Sequence, residues 1–384
     1  MGCTESDIKR DQCMLCGKLA HQGYDWWWHS FTARHATTGE EKSFFIEFFL
    51  CNPELAGNEP IFGLAEDGTR GAQSPSYLMV KAGTWGADAR QLHRFFAWKD
   101  VEVTWEAPFC VRADDCLACE TDLLGSVAVS AEDAAAHPEW MSDAGSMVWD
   151  LHLDKKIAYN VGYGAADAMR SAQAFEMFWH AEGMKTQMAG TVCLDGETYV
   201  VNPASSYGYA DKNWGRDFTS PWIWLSSWNL TSNRSGKKLE NSVFNIGGGK
   251  PKVGHISLEN KLLGCMVYEG KAYEFNFSKP WTGSETVFEC HEESESIVWH
   301  IEQSTNSALL VCDVECPKAE MLLMNYESPD GFKRHNRLWN GGTGSGRVQL
   351  YEKGKAGSFT LIDDMRAENI GCEYGEYATD GEGE

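Results

Sequence analysis

Apolar and polar positions alternate over short runs separated by glycine, asparagine and aspartate, and no long run repeats at helical spacing. Successive side chains of a strand point to opposite faces, so this period of two predicts antiparallel strands. Asp195-Gly196, between two such runs, is a strong hairpin signal. The predicted strands are 26–34, 44–51, 184–194, 198–201, 264–268, 272–277, 296–303, 308–314, 321–326, 347–351 and 358–363. Two stretches rich in alanine, 130–139 and 164–178, are the candidate helices.

The many short strands predict an all-β protein with few short helices. A chain of 384 residues is too long for one ordinary core, so two antiparallel barrels or sandwiches packed together are expected. We place the boundary near Asn202-Pro203. The predicted units are an N-terminal extension (1–20), an N-terminal domain (21–202), a C-terminal domain (203–375) and an acidic, glycine-rich tail (376–384).

The net charge of −23 argues against nucleic acid and anionic membrane surfaces as partners, because phosphates would be repelled. No apolar run approaches the ~20 residues that span a bilayer, and the first ten residues are polar, so we expect a cytoplasmic protein without a transmembrane segment. The oligomeric state stays open. The 13 cysteines are an odd number and fit free thiols. Two Cys-x-x-Cys pairs, 13–16 and 116–119, lie about 100 residues apart and are a weak zinc signal, so we expect neither metal nor cofactor.

The most informative stretch is 207–215, which reads Tyr-Gly-Tyr-Ala-Asp-Lys-Asn-Trp-Gly. An extended backbone would give Tyr209, Asp211 and Asn213 one face and Lys212 the other. Burial among aromatic rings raises the pKa of a carboxyl group, so this aspartate could donate a proton near neutral pH. The alternative is a structural aspartate that accepts backbone N–H bonds at a turn.

Aromatic side chains flank this acid in two other runs. Indole faces can stabilise a carbocation by roughly 0.5–2 kcal/mol each, although aromatic stripes are more often plain core. In the run 222–228, alternate positions give a stripe of Trp222, Trp224 and Trp228. In the run 25–31, Trp27, His29 and Phe31 share one face with Asp25 at its edge, and Trp26 and Trp28 share the opposite face.

The stretch 207–215, together with 178–183 (Phe-Trp-His-Ala-Glu-Gly) and 23–30 (Gly-Tyr-Asp-Trp-Trp-Trp-His-Ser), resembles the tocopherol cyclase-like proteins. These are grouped with carotenoid 1,2-hydratases and consist of two lipocalin-like β-barrel domains. The similarity runs roughly from His21 to Tyr377. It implies acid-catalysed chemistry on a prenyl-type double bond, either ring closure by a phenol or addition of water, without a cofactor.

This sequence departs from the family pattern at three places. Plant tocopherol cyclases are expected to carry Glu at the position of Asp211, and carotenoid hydratases His at the position of Lys212. The plant enzymes resemble Glu-Gly-Trp where this chain has Asp-Trp-Trp at 25–27. The general chemistry can therefore carry over while the substrate differs.

The residues and the resemblance together give candidate site residues. The catalytic candidates are Asp211, Tyr209, His180 and Glu182. The candidates for contact with a hydrophobic substrate are Trp27, His29, Asn213, Trp214, Trp222, Trp224 and Trp228. The alternative functions are a carrier of a hydrophobic small molecule and, third, an interaction module with an exposed aromatic patch. A buried carboxyl group without a charged partner would favour the enzyme, because desolvation makes such a group costly to retain.

Overall fold

The computed structural model describes residues 3–63, 73–159, 175–253, 256–259, 261–331, 334–354 and 357–378. Over these ranges it is an all-β protein with short helices, which confirms the predicted lipocalin-like fold class. The helices are α1 (Glu5–Arg10), α2 (Lys18–His21) and α3 (Ala131–Ala136). Single 3-10 turns occupy Pro53–Leu55, Trp98–Asp100, Pro138–Trp140, Pro280–Thr282 and Lys318–Glu320. In the described part of the chain no helix has both the length and the apolar character that crossing a membrane requires.

Twelve strands form the first sheet, in which the order is β4-β3-β2-β1-β11-β10-β9-β8-β7-β6-β5 and β12 pairs with both β1 and β10. Its strands are β1 (Tyr24–His35), β2 (Glu41–Cys51), β3 (Tyr77–Thr84), β4 (Arg90–Phe96), β5 (Glu102–Thr104), β6 (Cys110–Ala113), β7 (Cys116–Cys119), β8 (Asp122–Val129), β9 (Gly145–Tyr159), β10 (Met177–Leu194), β11 (Glu197–Val201) and β12 (Gly208–Gly215).

Eleven strands form the second sheet, in the order β19-β18-β15-β13-β25-β24-β22-β21-β20, with β14 on β25 and β23 on β24. Its strands are β13 (Trp222–Ser227), β14 (Asn229–Ser232), β15 (Val243–Gly249), β18 (Lys261–Tyr268), β19 (Lys271–Asn276), β20 (Glu285–Glu292), β21 (Ser296–Ser304), β22 (Ala308–Pro317), β23 (Leu322–Glu327), β24 (Arg334–Lys353) and β25 (Phe359–Ala378). A separate ribbon pairs β16 (Lys252–Val253) with β17 (Ile256–Ser257).

The hairpin at Asp195-Gly196 forms as predicted between β10 and β11. Both turn residues have positive φ, +48° and +89°, which is the backbone that a two-residue hairpin turn needs and that Asp-Gly adopts readily. Of the candidate helices, 130–139 contains α3. Most of 164–178 lies outside the described residues, and its last two residues already belong to β10.

The change from one sheet to the other lies after β12. We placed the boundary at Asn202-Pro203, but β12 hydrogen-bonds to β1 and β10, so the first sheet continues to Gly215. The linker is 216–221. Sequence alternation predicted the strand but could not show which strands it would pair with.

The N-terminal segment, predicted as an extension, packs against the first sheet. The Asp11 carbonyl accepts from the Trp27 indole N–H at 2.8 Å, and the Met14 backbone N–H donates to Asp25 at 2.6 Å. Cys13 and Leu15 are buried in the same core. Residues 11–15 therefore cover the face of the first sheet that carries Trp27.

Candidate active site

The two faces of β12 carry different chemistry, as alternation predicted. We call them the Asp211 face and the Lys212 face of the first sheet. On the Lys212 face, the ammonium group pairs with Asp25, and both side chains are fully buried. On the other face, Asp211 lies opposite Trp28 of β1. The lysine beside the acid in sequence therefore does not neutralise it.

Two donors hold the Asp211 carboxyl group. The Trp179 indole N–H donates to Oδ2 at 2.8 Å, and the Tyr209 hydroxyl donates to the same oxygen at 2.9 Å. Among the residues that the structure describes, both bonds thus reach Oδ2 and leave Oδ1 for the proton. Burial raises the pKa of Asp211 to about 8 and outweighs the two hydrogen bonds, which favour the anion. The group is largely protonated at pH 7.

Asp211 borders a void between the two sheets. The void is lined by Trp26, Trp28, Asp211, Asn213, Trp222, Trp224, Tyr326 and Glu373. Its volume is about 20 Å³, room for about one water molecule. A second void shares five of these lining residues and extends past Phe218, Met177 and Leu338.

A second carboxyl group reaches the same void from the other sheet. Glu373 of β25 is half-buried and accepts from the Trp222 indole N–H at 2.8 Å and from the Asn340 amide at 2.5 Å. Asn340 is itself held by the Trp85 indole N–H at 2.8 Å. Burial raises the pKa of Glu373 to about 7, while the two hydrogen bonds oppose that rise.

A buried ion pair of the first sheet is linked to the second sheet through Tyr326. Lys81 and Glu47 are fully buried with 3.3 Å between their charged atoms, and the Tyr326 hydroxyl donates to Glu47 at 3.0 Å. The ammonium lies 3.4 Å from the centre of the Tyr326 ring. Burial lowers the pKa of Lys81 to about 8 and raises that of Glu47. The interface therefore combines carboxyl groups with aromatic walls.

Of the candidates from sequence, Tyr209, Asn213, Trp222 and Trp224 lie with Asp211. Asn213, Trp222 and Trp224 line the void, and the Tyr209 and Trp224 ring centres are 4.9 Å apart. Asn245 donates to the Tyr209 hydroxyl at 3.4 Å and accepts from the Trp224 indole N–H at 3.1 Å. These contacts connect the acid to the second sheet.

Four aromatic candidates lie away from Asp211. Trp27 and Trp214 lie on the Lys212 face, within 4.0 and 5.4 Å of the ammonium. His29 lies on that face too, fully buried, and burial lowers its pKa to about 3. Trp228 packs against the Tyr207 ring at a tilt and donates to the Gly208 carbonyl. Strand alternation separates three of them from Asp211 once β12 is paired with β1.

The histidine and glutamate predicted to assist the acid also lie on the Lys212 face. His180 pairs in register with Lys212, and its Nε2 lies 3.2 Å from Asp11. Glu182 forms a buried ion pair with Lys155 at 2.8 Å. The structure therefore assigns them to a separate ionic cluster under the N-terminal segment.

Sequence reasoning missed five residues of the site. Trp26 and Trp28 had been placed opposite Trp27 by alternation, but nothing in the sequence told which face would meet the second domain. The other three are Trp179, Tyr326 and Glu373. They come from other strands, so only tertiary pairing brings them to Asp211. For metals, no group of three or more ligating side chains has suitable geometry among the described residues.

A comparison with protein families tests the resemblance that the sequence motifs indicated. The family model described as tocopherol cyclase-like matches residues 141–376, which include Asp211 and Glu373. The chain belongs to the tocopherol cyclase-like family. The opening run 23–30 lies outside the matched range.

Solved structures are similar to this tocopherol cyclase-like protein only at low identity. Kievitone hydratase from Nectria haematococca is 11% identical, with 98% of this chain and 94% of that chain covered and a TM-score of 0.47. An AttH protein of Nitrosomonas europaea is 13% identical, with 92% of each chain covered and a TM-score of 0.43.

Proposed function

We propose that this protein is an acid-catalysed cyclase or hydratase in which Asp211 protonates a C=C bond of a hydrophobic, isoprenoid or lipid-like substrate. The observation that carries the proposal is a carboxyl group, 8% exposed, that faces an aromatic-lined void with no cation bonded to it among the described residues. An alkene is a weak base, so its protonation needs an un-ionised acid in a site that excludes water.

The hydrogen bonds at Oδ2 suit this role. After the proton leaves Oδ1, the negative charge is shared with Oδ2, where Trp179 and Tyr209 already donate. Donors fixed in advance at the developing charge stabilise the transition state without reorganisation. Tyr209 and Trp179 would thus be positioning residues for the acid.

The walls suit the cation that protonation creates. The faces or edges of Trp26, Trp28, Trp222 and Trp224 border the void. An indole face attracts a cation by roughly 0.5–2 kcal/mol. Capture by a phenol oxygen of the same molecule would close a ring, whereas capture by water would give an alcohol.

The size of the void adds a requirement. A space of about 20 Å³ cannot hold an isoprenoid, so substrate entry needs the indoles or the two sheets to move apart. A carrier of a hydrophobic molecule would face the same requirement, but it would have no use for a buried acid that costs stability.

The test is turnover in D2O with ortho-prenylphenol, the smallest molecule that joins a phenol to a prenyl double bond, and with a hydrophobic extract of the source cells. We expect wild type to form a cyclic ether or an alcohol with one deuterium on the former alkene carbon. Asp211→Asn keeps an acceptor for Trp179 and Tyr209 and should bind the compounds unchanged. Asp150→Asn, an exposed site on β9, is the matched control and should turn over as wild type.

A folded, active Asp211→Asn variant would refute the assignment of the acid. Retention of the same extract component by both proteins, without deuterium incorporation, would favour the carrier.

A further inference from the structure

We propose that Glu373 is the general base that accepts the proton of the attacking hydroxyl group, so that each sheet supplies one of the two proton-transfer groups. This inference rests on the proposed function and adds a catalytic residue to the same site. It assigns the second sheet a chemical role in addition to closing the void.

The position of Glu373 suits capture rather than protonation. Asp211 borders only the first void, whereas Glu373 borders both that void and the adjoining one. A substrate lying across the two would present its alkene to Asp211 and its hydroxyl, or a water, to Glu373. Asn213, Trp222, Trp26 and Tyr326 line both voids, so the wall between the two groups is continuous.

The contacts of Glu373 suit a base. Both of its oxygens accept hydrogen bonds, one from Trp222 and one from Asn340, and the second donor is fixed in turn by Trp85. Donors at both oxygens favour the carboxylate over the acid. Among the described residues, the donors to Asp211 reach Oδ2, which leaves Oδ1 to carry the proton.

The electrostatics separate the two roles further. Burial raises the pKa of both groups, to about 8 for Asp211 and about 7 for Glu373, and the negative charge of Glu373 adds to the rise at Asp211. An ionised Glu373 therefore favours the protonated form of Asp211, which is the pairing that an acid and a base need.

The steps balance without an oxidant or a cofactor. The Asp211 O–H bond breaks and a C–H bond forms from the alkene π electrons, leaving a carbocation and an aspartate anion. The hydroxyl oxygen of the substrate or of water then forms a C–O bond to the cation, and its proton passes to Glu373. Return of one proton from Glu373 to Asp211, directly or through water, restores the starting enzyme.

The experiment compares Glu373→Gln, Glu373→Ala and Asp211→Asn with wild type on ortho-prenylphenol in D2O. Loss of a general base should slow product formation about a hundredfold or more. In Glu373→Gln the cation should still form and lose a proton again, so recovered substrate should contain deuterium. Asp211→Asn should give neither product nor exchange. In Glu373→Ala, added formate should raise the rate of product formation at least tenfold.

A second measurement does not depend on turnover. The compound ortho-(2-trimethylammonioethyl)phenol, whose fixed charge takes the place of the tertiary cation carbon, should bind at least tenfold more weakly to Glu373→Gln than to wild type or Asp211→Asn. Glu373 variants with turnover within about twofold of wild type, or with reduced turnover but neither exchange nor formate rescue, would overturn the inference. If wild type does not convert the prenylphenol, equal binding of the ammonium compound to wild type and Glu373→Gln would also overturn the inference. An active Asp211→Asn variant would instead refute the proposed function.

Discussion

At the scale of single residues, Asp211 lowers the stability of the fold at neutral pH. Its pKa is about 8 in the folded protein against an ordinary value of 3.8, so the folded state binds more protons between these values. The contribution of Asp211 to the free energy of unfolding therefore falls as pH rises from about 4 to 8. Asn cannot ionise, so this loss is absent from Asp211→Asn. The free energy of unfolding of the variant minus that of wild type should be larger at pH 8 than at pH 5 by at least about 1 kcal/mol. Urea unfolding at both pH values measures this, and a difference independent of pH would contradict it.

The same group sets the pH dependence of turnover. Asp211 acts in its protonated form, so kcat/KM should fall as pH rises above about 8. Tyr209→Phe removes a donor that lowers the pKa of Asp211, so the alkaline fall should move to higher pH and kcat should drop about tenfold. Glu373, Glu47 and Lys81 also titrate around this void, so each profile is compared with that of Glu373→Gln. An unchanged profile in Tyr209→Phe would exclude this positioning role.

At the scale of strands, alternation predicted the pairing of Tyr209 with Asp211 and the separation of Lys212 from both. The same rule placed Trp26 and Trp28 on one face and Trp27 on the other, but could not tell which face the second sheet would cover. Aromatic residues occur on both faces of β1, because one face packs in the first domain and the other forms the interface. That ambiguity explains why the substrate-contact candidates named in β1, Trp27 and His29, lie on the face opposite Asp211.

Glycines in the second sheet leave space for the indoles of the site. At Gly371 of β25 an added Cβ would lie 2.2 Å from Cη2 of Trp224, and at Gly247 of β15 it would lie 2.7 Å from the Trp179 ring. Gly371→Ala should therefore displace Trp224 and destabilise the fold by about 1–3 kcal/mol, with reduced turnover. Chemical denaturation and near-ultraviolet circular dichroism measure this. Gly354→Ala, where the nearest atom would be 3.5 Å away, is the control, and equal effects in both variants would contradict the packing argument.

At the scale of the whole molecule, the site could be predicted only in part because it lies between the two sheets. The acid came from one local stretch, and the alternate residues Tyr209 and Asn213 of that stretch share its face. Glu373 is far from it in sequence, and Tyr326 comes from a third strand. No period within a strand predicts such contacts, since they depend on which faces of two sheets meet. The same argument applies to Asp11, whose position depends on the packing of the N-terminal segment.

Tyr326 provides a test of whether the two sheets act as one unit. Its ring centre lies 5.4 Å from that of Trp26, its hydroxyl donates to Glu47, and one apolar core cluster includes residues of both sheets. We therefore expect wild type to unfold in a single calorimetric transition. Tyr326→Ala removes the ring and leaves Glu47 without that donor, so it should cost about 3–5 kcal/mol and divide the transition into two. Tyr326→Phe keeps the ring and should cost only about 1–3 kcal/mol in one transition. Two transitions in wild type, or an Ala variant as stable as the Phe variant, would mean that the sheets fold independently and that the interface holds the acid and base together only weakly.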